Sequence, residues 1–202
     1  MTDPSKLGPD RSWFLSVNDF ARHTPWLHGA VKAYASYGVV VFGVLLLVGY
    51  VVARRSGSAR LLAASAWSGI GLLLAVAANQ PIVSAVDEPR PYTIFPHALL
   101  LAHRSTDPSF PSDHSVMAGA VAVGLFLLSR KLGAVALGAA LLMAFARVYV
   151  GAHFPVDVVA GLLLGGLVAG AGWLILARPL TSAMRFLGTT PLRLVVPTDP
   201  TA

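Results

Sequence analysis

The sequence predicts an all-α, polytopic membrane helix bundle with five transmembrane helices and one additional N-terminal helix. Of its 202 residues, 55% are hydrophobic and 12% are charged, and the mean hydropathy is +0.69. Soluble domains carry roughly 25% charged residues, so a water-soluble globule is excluded. The chain has no cysteine, which excludes disulfides, thiolate metal sites and a cysteine nucleophile.

Five stretches with few or no charges are candidates to cross a bilayer, which takes about 20 apolar residues. They lie between Lys32 and Arg54, from Leu61 to about Ala78, from Ser115 to Ser129, from Leu132 to Ala146 and from Val158 to Ala177. Upstream, aromatic and apolar residues recur at near-helical spacing between Ser12 and Leu27. This spacing predicts a helix that lies at the membrane interface or packs against the bundle.

The charge distribution predicts how these helices are oriented. The first-to-second loop, the third-to-fourth loop and the C-terminal tail carry eight basic residues against one acid, Asp199. By the positive-inside rule these segments are cytoplasmic, with the N-terminus outside and the C-terminus inside. The expected organisation is an extracytoplasmic or interfacial segment 1–30, a transmembrane domain 31–178 and a cytoplasmic tail 179–202. All six histidines then lie on the extracytoplasmic side.

Three polar stretches on that side contain residues suited to binding phosphate. They are Glu88–Tyr92, Phe110–Ser115 and Arg147–Asp157. The guanidinium groups of Arg90 and Arg147 offer forked donors that match phosphate oxygens. The Ser112 hydroxyl and the backbone amides from Asp113 onward stand at the N-terminus of the third span, where a helix favours anions.

Two histidines in these stretches can perform the chemistry of phosphoryl transfer. His153 and Asp157 are four residues apart, so they can meet across one turn if the last helix begins near Phe154. The carboxylate can then hold the imidazole tautomer, and an imidazole so oriented is a nucleophile. His114 can supply a proton to the leaving group. Together with the phosphate-binding groups, these residues make up a complete phosphatase apparatus.

The three stretches resemble the signature of the type 2 phosphatidic acid phosphatase superfamily. That signature consists of Lys-x6-Arg-Pro, Pro-Ser-Gly-His and Ser-Arg-x5-His-x3-Asp. Arg90-Pro91, Pro111-Ser112-x-His114 and Arg147-x5-His153-x3-Asp157 match it in order. The five-span layout looks most like the bacitracin-resistance type of undecaprenyl pyrophosphate phosphatases.

The resemblance implies a function and a role for each matching residue. His153 would attack phosphorus to form a phosphohistidine, oriented by Asp157, while His114 protonates the leaving lipid phosphate; Arg90, Ser112 and Arg147 would hold the phosphoryl group. The implied reaction is metal-independent hydrolysis of undecaprenyl-type pyrophosphate to the monophosphate, outside a bacterial cytoplasmic membrane. That reaction recycles the carrier lipid of peptidoglycan biosynthesis. The implied partners are the lipid substrate and the bilayer, and no nucleic acid.

The sequence departs from the family signature in two places that bear on phosphate binding. Val83 stands where the family has lysine, and Asn79, one helical turn earlier, is a candidate substitute. Asp113 replaces the motif glycine. Because a carboxylate repels phosphate, we expect Asp113 to point away from the substrate or to contact a cation.

Other functions fit parts of the same sequence. Phosphatidate, phosphatidylglycerophosphate or a polyprenyl phosphosugar are alternative substrates. A transporter would use buried charges along an ion path, but it predicts polar residues distributed through the helices. A metal site could be built from His114, Asp113, His153 and Asp157. A non-catalytic membrane protein would need none of the motif spacing.

Overall fold

The structure, a computed structural model, describes residues 8–196, and the regular elements in that range are helices. They are α1 (Pro9–His23), α2 (His28–Tyr37), α3 (Val39–Ser56), α4 (Ala59–Val86), α5 (Pro91–Ile94), α6 (Asp113–Leu128), α7 (Arg130–Tyr149) and α8 (Pro155–Gly188), with 3-10 turns at Pro25–Leu27 and Pro191–Leu194. The prediction of an all-helical membrane bundle is confirmed.

Four helical segments in the described range are long and apolar enough to cross a membrane. They are α3, the segment Ala59–Ile94 that contains α4, α7 and α8. The remaining predicted span, the third, is α6, which is apolar but has 16 residues and is therefore about 24 Å long. The chain is a multi-pass membrane protein in which the shortest apolar helix, α6, packs against α4, α7 and α8.

The first predicted span is not one uninterrupted helix. The charge-free stretch between Lys32 and Arg54 is divided at Gly38, which separates α2 from α3. Glycine weakens a helix interior, and a Cβ at Gly38 would come within 2.7 Å of the Met143 side chain. The break leaves α2 beside the polar end of α7, where the Ala35 carbonyl accepts a hydrogen bond from Arg147.

Two helices run beyond the ends predicted from apolar runs. Helix α4 continues past Ala78 to Val86, and α8 continues past Ala177 to Gly188. Each contains an internal proline, Pro81 or Pro179. A span predicted from a run of apolar residues ends where polar residues begin, whereas the helical backbone continues through those polar residues. The predicted domain boundary between residues 178 and 179 therefore falls inside α8.

Helix α1 packs against the bundle and holds the long loop that follows α5. Phe14 and Ala21 are fully buried, whereas Trp13 is 59% exposed. The Asn18 side chain donates to the Leu99 carbonyl at 2.8 Å and accepts from the Leu99 N–H at 2.9 Å. Of the two arrangements predicted for this segment, the structure shows the one in which the helix packs against the bundle.

Helices α6 and α8 cross so closely that glycine is required at the contact. A Cβ on Gly161 would lie 2.7 Å from the Ser112 carbonyl oxygen and 2.9 Å from the Ser115 Cβ, and one on Gly165 would overlap the Val116 carbonyl oxygen. A Cβ on Gly170, by contrast, would make an ordinary 3.7 Å contact with Val123. Small residues that allow such close approach are typical of membrane helix pairs.

We expect Gly161→Ala to lower thermal stability because the Ser112 carbonyl and the Ser115 Cβ cannot move away without separating α6 from α8. Forcing a methyl group into a well-packed contact costs about 1–3 kcal/mol. Thermal melting of the detergent-purified protein measures the change, with Gly170→Ala as the matched control. Equal melting temperatures for the two variants would contradict the close crossing.

Candidate active site

A cavity of about 620 Å³ opens at the end of the bundle where α4 and α7 end and α6 begins. Five residues singled out from the sequence line it: Arg90, Asp113, His114, Arg147 and His153. They come from three separate stretches of the chain, and the alternating direction of the helices brings these stretches to one end. This cavity is the candidate active site.

His153 presents one ring nitrogen to the cavity and uses the other for support. Its Nδ1 lies 2.8 Å from the Ser109 carbonyl oxygen. A carbonyl oxygen only accepts hydrogen bonds, so Nδ1 carries the proton and Nε2 keeps a free lone pair. The Nε2 atom lies 3.3 Å from Arg90 Nη1 and 3.2 Å from Arg147 Nη2. The ring nitrogen with the free lone pair therefore lies between two guanidinium groups.

Asp157 lies behind the imidazole and links it to the start of α8. Its Oδ2 is 3.4 Å from His153 Nδ1, and it accepts hydrogen bonds from the Ser109 hydroxyl at 2.5 Å and from the Phe154 N–H at 2.8 Å. The predicted approach across one helical turn is present, since α8 begins at Pro155. The short contact to Nδ1, however, is made by Ser109.

The two arginines are fixed by backbone carbonyls. Arg90 donates to the carbonyl of Asp107 at 2.7 Å and to that of Ala152 at 3.2 Å. Arg147 donates to the Ala35 carbonyl at 3.3 Å. Neither guanidinium forms an ion pair with an acidic residue in the described range, so both remain available to an anion in the cavity.

The start of α6 contributes His114 to the cavity lining, whereas Ser112 is not among the lining residues. The Ser112 side chain is fully buried, and its hydroxyl has no hydrogen-bond partner among residues 8–196. Its backbone N–H donates to the Asp157 carbonyl at 3.1 Å, which joins the start of α6 to that of α8. The N–H groups of Asp113 and His114 are the first two of α6, and helix geometry gives such groups no intrahelical acceptor.

Asp113 is held by two amides of α4. Its Oδ1 accepts from Asn79 Nδ2 at 2.7 Å and from Gln80 Nε2 at 3.1 Å. The Asn79 side chain is fully buried and also donates to the Pro111 carbonyl at 3.2 Å. Asn79 thus contacts Asp113, and the structure does not place it in the cavity lining. Val83, at the position of the family lysine, does line the cavity.

Several residues that the sequence argument did not single out belong to this site. Ser109 supports both His153 and Asp157, and Gln80, Ser84 and Asp107 line the cavity. Ser109 directly precedes the Phe110–Ser115 stretch, but its spacing to His153 carries no local signal. Across residues 8–196 there is no group of three histidine or acidic side chains arranged to hold a metal ion.

We expect His153 to remain neutral and nucleophilic well into the acidic range. Burial and the positive charges of Arg147 and Arg90 lower the pKa of His153 well below its usual 6.5, although the Ser109 carbonyl acts in the opposite direction. A group with a lowered pKa loses its neutral form only below that pKa, so the acidic limb of kcat/KM should lie below pH 6.5.

The variant Arg90→Gln separates this effect from ionisation of the substrate. Removing one positive charge should move the acidic limb to higher pH, whereas the substrate's own pKa is the same in both assays. A limb that stays in place in Arg90→Gln would contradict the stated cause.

We expect Ser109→Ala to reduce kcat by about tenfold, with KM little changed, because Asp157 Oδ2 loses its shortest hydrogen bond and such a loss costs about 1–2 kcal/mol. Ser109 is a positioning residue, since it acts through Asp157 and His153. Ser109→Thr keeps a hydroxyl and should restore most of the rate. An unchanged kcat in Ser109→Ala would remove this role.

Comparison with known proteins identifies the family. The profile of the PAP2 superfamily matches residues 64–179, a range that contains all the residues described above from Asn79 to Asp157. The chain belongs to the PAP2 superfamily. This confirms the family resemblance stated from the three motifs, and it identifies the chain as a membrane phosphatase of the PAP2 type, a phosphate hydrolase.

Two curated relatives and one solved structure are similar to this chain. The undecaprenyl-diphosphatase BcrC of Bacillus subtilis is 28% identical over 75% of this chain and 76% of its own. The bacitracin transport permease protein BcrC of Bacillus licheniformis is 30% identical over 77% of this chain and 75% of its own. The crystal structure of Aquifex aeolicus LpxE covers 84% of this chain and 97% of its own, with a TM-score of 0.61 and 25% identity.

Proposed function

We propose that this PAP2 protein hydrolyses the terminal phosphate of a polyprenyl pyrophosphate of the undecaprenyl type, giving the lipid monophosphate and phosphate. The observation that carries the proposal is the free Nε2 of His153, which lies between the guanidinium groups of Arg90 and Arg147 at one end of the bundle. The diphosphatase name of the Bacillus subtilis relative supports the choice of a pyrophosphate.

In the first step, the two arginines bind the terminal phosphate and bring its phosphorus to His153. The Nε2 lone pair forms a bond to phosphorus while the bond from phosphorus to the bridging oxygen breaks. His114 gives its proton to that oxygen, so the lipid monophosphate leaves. The positive charge of the phosphorylated imidazole is supported through Nδ1–H by the Ser109 carbonyl and by Asp157.

In the second step, water replaces the imidazole. His114, now neutral, takes a proton from a water molecule whose oxygen attacks phosphorus, and the bond from phosphorus to Nε2 breaks. The products are inorganic phosphate and neutral His153. The arginines stabilise charge on the phosphoryl oxygens in both steps, a type of electrostatic stabilisation that often dominates catalysis.

The held carboxylate of Asp113 favours a substrate with its reactive phosphate on the side of His153. The amides of Asn79 and Gln80 fix Asp113 at the α4 side of the cavity, whereas Arg90 and Arg147 contact His153. We infer that the terminal phosphate binds between the arginines and that Asp113 disfavours an anion bound beside α4.

The site is proposed to face outward from a bacterial cytoplasmic membrane, with the C-terminus inside. The charge distribution of the loops supports this orientation. An outward-facing site fits the recycling of a cell-wall carrier lipid, and hence peptidoglycan biosynthesis and bacitracin resistance.

A transporter is the competing function of a different class, and the name of the Bacillus licheniformis relative is a reason to test it. Charges that form an ion path would be distributed along the helices. Here the described acidic residues lie at the end of the bundle that holds the cavity, which favours a reaction at one membrane face.

The test is phosphate release by detergent-purified protein from undecaprenyl pyrophosphate and from phosphatidate, in excess chelator. We expect release from the pyrophosphate that resists the chelator, and slower release from phosphatidate. Faster release from phosphatidate would assign the enzyme to phospholipid metabolism. Release that the chelator abolishes would support the metal-dependent alternative, and no release from either lipid would contradict the proposal.

A further inference from the structure

A second cavity lies at the opposite end of the bundle, where α4 begins and α8 approaches its end. It has a volume of about 570 Å³ and lies between these two helices. The residues that shape it include Arg60, Trp173, Arg178, Thr181, Ser182 and Arg185. None of them takes part in the proposed chemistry.

The three arginines of this cavity carry charge that the described chain does not compensate. The cavity lining contains no acidic residue, and the sequence has none between Asp157 and Asp199; Asp199 lies outside the described residues. Both ion pairs found within residues 8–196 involve residues at the other end of the bundle. An anion is therefore the complementary ligand.

The three arginines lie on two packed helices, at a spacing that lets them contact one anion. Arg178 and Arg185 are seven residues apart on α8, which is about two turns and about 10 Å along one face, and Arg60 faces them from α4. The helices are joined below the cavity by a hydrogen bond from Trp67 Nε1 to the Ala169 carbonyl at 2.8 Å. The position of each backbone is thus fixed before a ligand binds.

The cavity combines this basic rim with an apolar side that continues to the membrane-facing surface. Trp173, which is 6% exposed, lines it together with Leu174. Leu174 and the neighbouring Ile175 are 85% and 76% exposed. A ligand that fits both parts has an anionic phosphate group and hydrocarbon chains.

We propose that this cavity binds the headgroup of an anionic phospholipid from the leaflet opposite the active site, with the phosphate among the arginines and the acyl chains along Leu174 and Ile175. Free phosphate shares the anionic chemistry but lacks the chains, so it would leave the apolar side unused. The proposal does not depend on the substrate of the catalytic cavity.

The test uses tryptophan fluorescence, because the catalytic cavity has no tryptophan in its lining. Trp13 and Trp26 are 59% and 78% exposed, and both are replaced by phenylalanine in the full chain. Trp67 and Trp173 remain, and both belong to the cluster beside the second cavity. The detergent-solubilised protein is titrated with phosphatidylglycerol or phosphatidylcholine whose identical acyl chains carry bromine, a quencher of tryptophan.

We expect half-maximal quenching at a concentration of phosphatidylglycerol at least about tenfold lower than that of phosphatidylcholine. The double variant Arg178→Gln, Arg185→Gln should remove this preference. If the double variant does not fold, the single variant Arg185→Gln replaces it and should weaken the preference. Arg55→Gln with Arg130→Gln removes the same charge from the same end of the bundle, outside the cavity, and should retain the preference.

Three results would overturn the proposal. Equal quenching by the two lipids would show that the arginines do not select an anionic headgroup. Loss of the preference in both double variants would assign it to overall surface charge. Complete relief of quenching by excess orthophosphate would assign the cavity to a free phosphate ion.

Discussion

Replacing His153 with alanine will abolish phosphate release, with a loss of at least about a thousandfold in kcat. Alanine has no atom that can form the bond to phosphorus now assigned to Nε2, and the remaining arginines can only bind the substrate. Because Arg90 and Arg147 are anchored on backbone carbonyls, substrate binding should persist. Steady-state kinetics and equilibrium binding of the lipid together distinguish lost chemistry from lost binding.

The matched control for this variant is a second histidine with an aspartate four residues away. His23 lies 3.6 Å from Asp19 on α1, and both side chains are at least 70% exposed. His23→Ala should therefore leave the rate unchanged. A His153→Ala protein that retained a tenth or more of the wild-type rate would rule out His153 as the nucleophile.

Arg147→Gln will lower kcat/KM by about a hundredfold to a thousandfold, the usual cost of removing one donor that stabilises charge on the reacting group. Its Nη2 lies 3.2 Å from Nε2 of His153, the proposed nucleophile, so under the proposal the lost charge is beside the transferred phosphoryl group. Arg147→Lys should recover only part of the rate, because an ammonium cannot present a planar fork. The measurement is kcat/KM for each variant, with the melting temperature recorded to detect unfolding.

The control for the arginine is Arg11 on α1, at the same end of the bundle and outside the cavity lining. Arg11→Gln removes the same charge and should change kcat/KM by less than about twofold, because dissolved salt screens the field of a charge that does not contact the substrate. Equal losses in Arg147→Gln and Arg11→Gln would mean that long-range attraction, and not contact with phosphate, explains the arginine's role.

The sequence predicts which candidate site residues lie together where the geometry follows from regular helices. His153 and Asp157 meet because a separation of four residues is close to one helical turn and α8 begins between them. Arg90, His114 and Arg147 share a cavity because the alternating direction of the helices returns the chain to one end of the bundle. Both inferences need only regular helix geometry and the direction of each span.

The remaining features depend on contacts between segments that are distant in sequence. Ser109 contacts His153 only when the loop that follows α5 packs against the start of α8. Asp113 contacts Asn79 only when α6 packs against α4. The apolar count also ends α4 at Ala78, although the helix continues and brings later residues to the cavity. Such contacts have no periodic signal in a single sequence.

The most direct test of the phosphohistidine mechanism is the stereochemical course at phosphorus. Polyprenyl pyrophosphate whose terminal group is a thiophosphate made chiral by two oxygen isotopes is hydrolysed in water labelled with the third isotope, and the configuration of the released thiophosphate is determined. Attack by His153 followed by attack by water inverts the phosphorus twice, so the mechanism predicts overall retention. Overall inversion would indicate direct attack by water and would contradict the role assigned to His153.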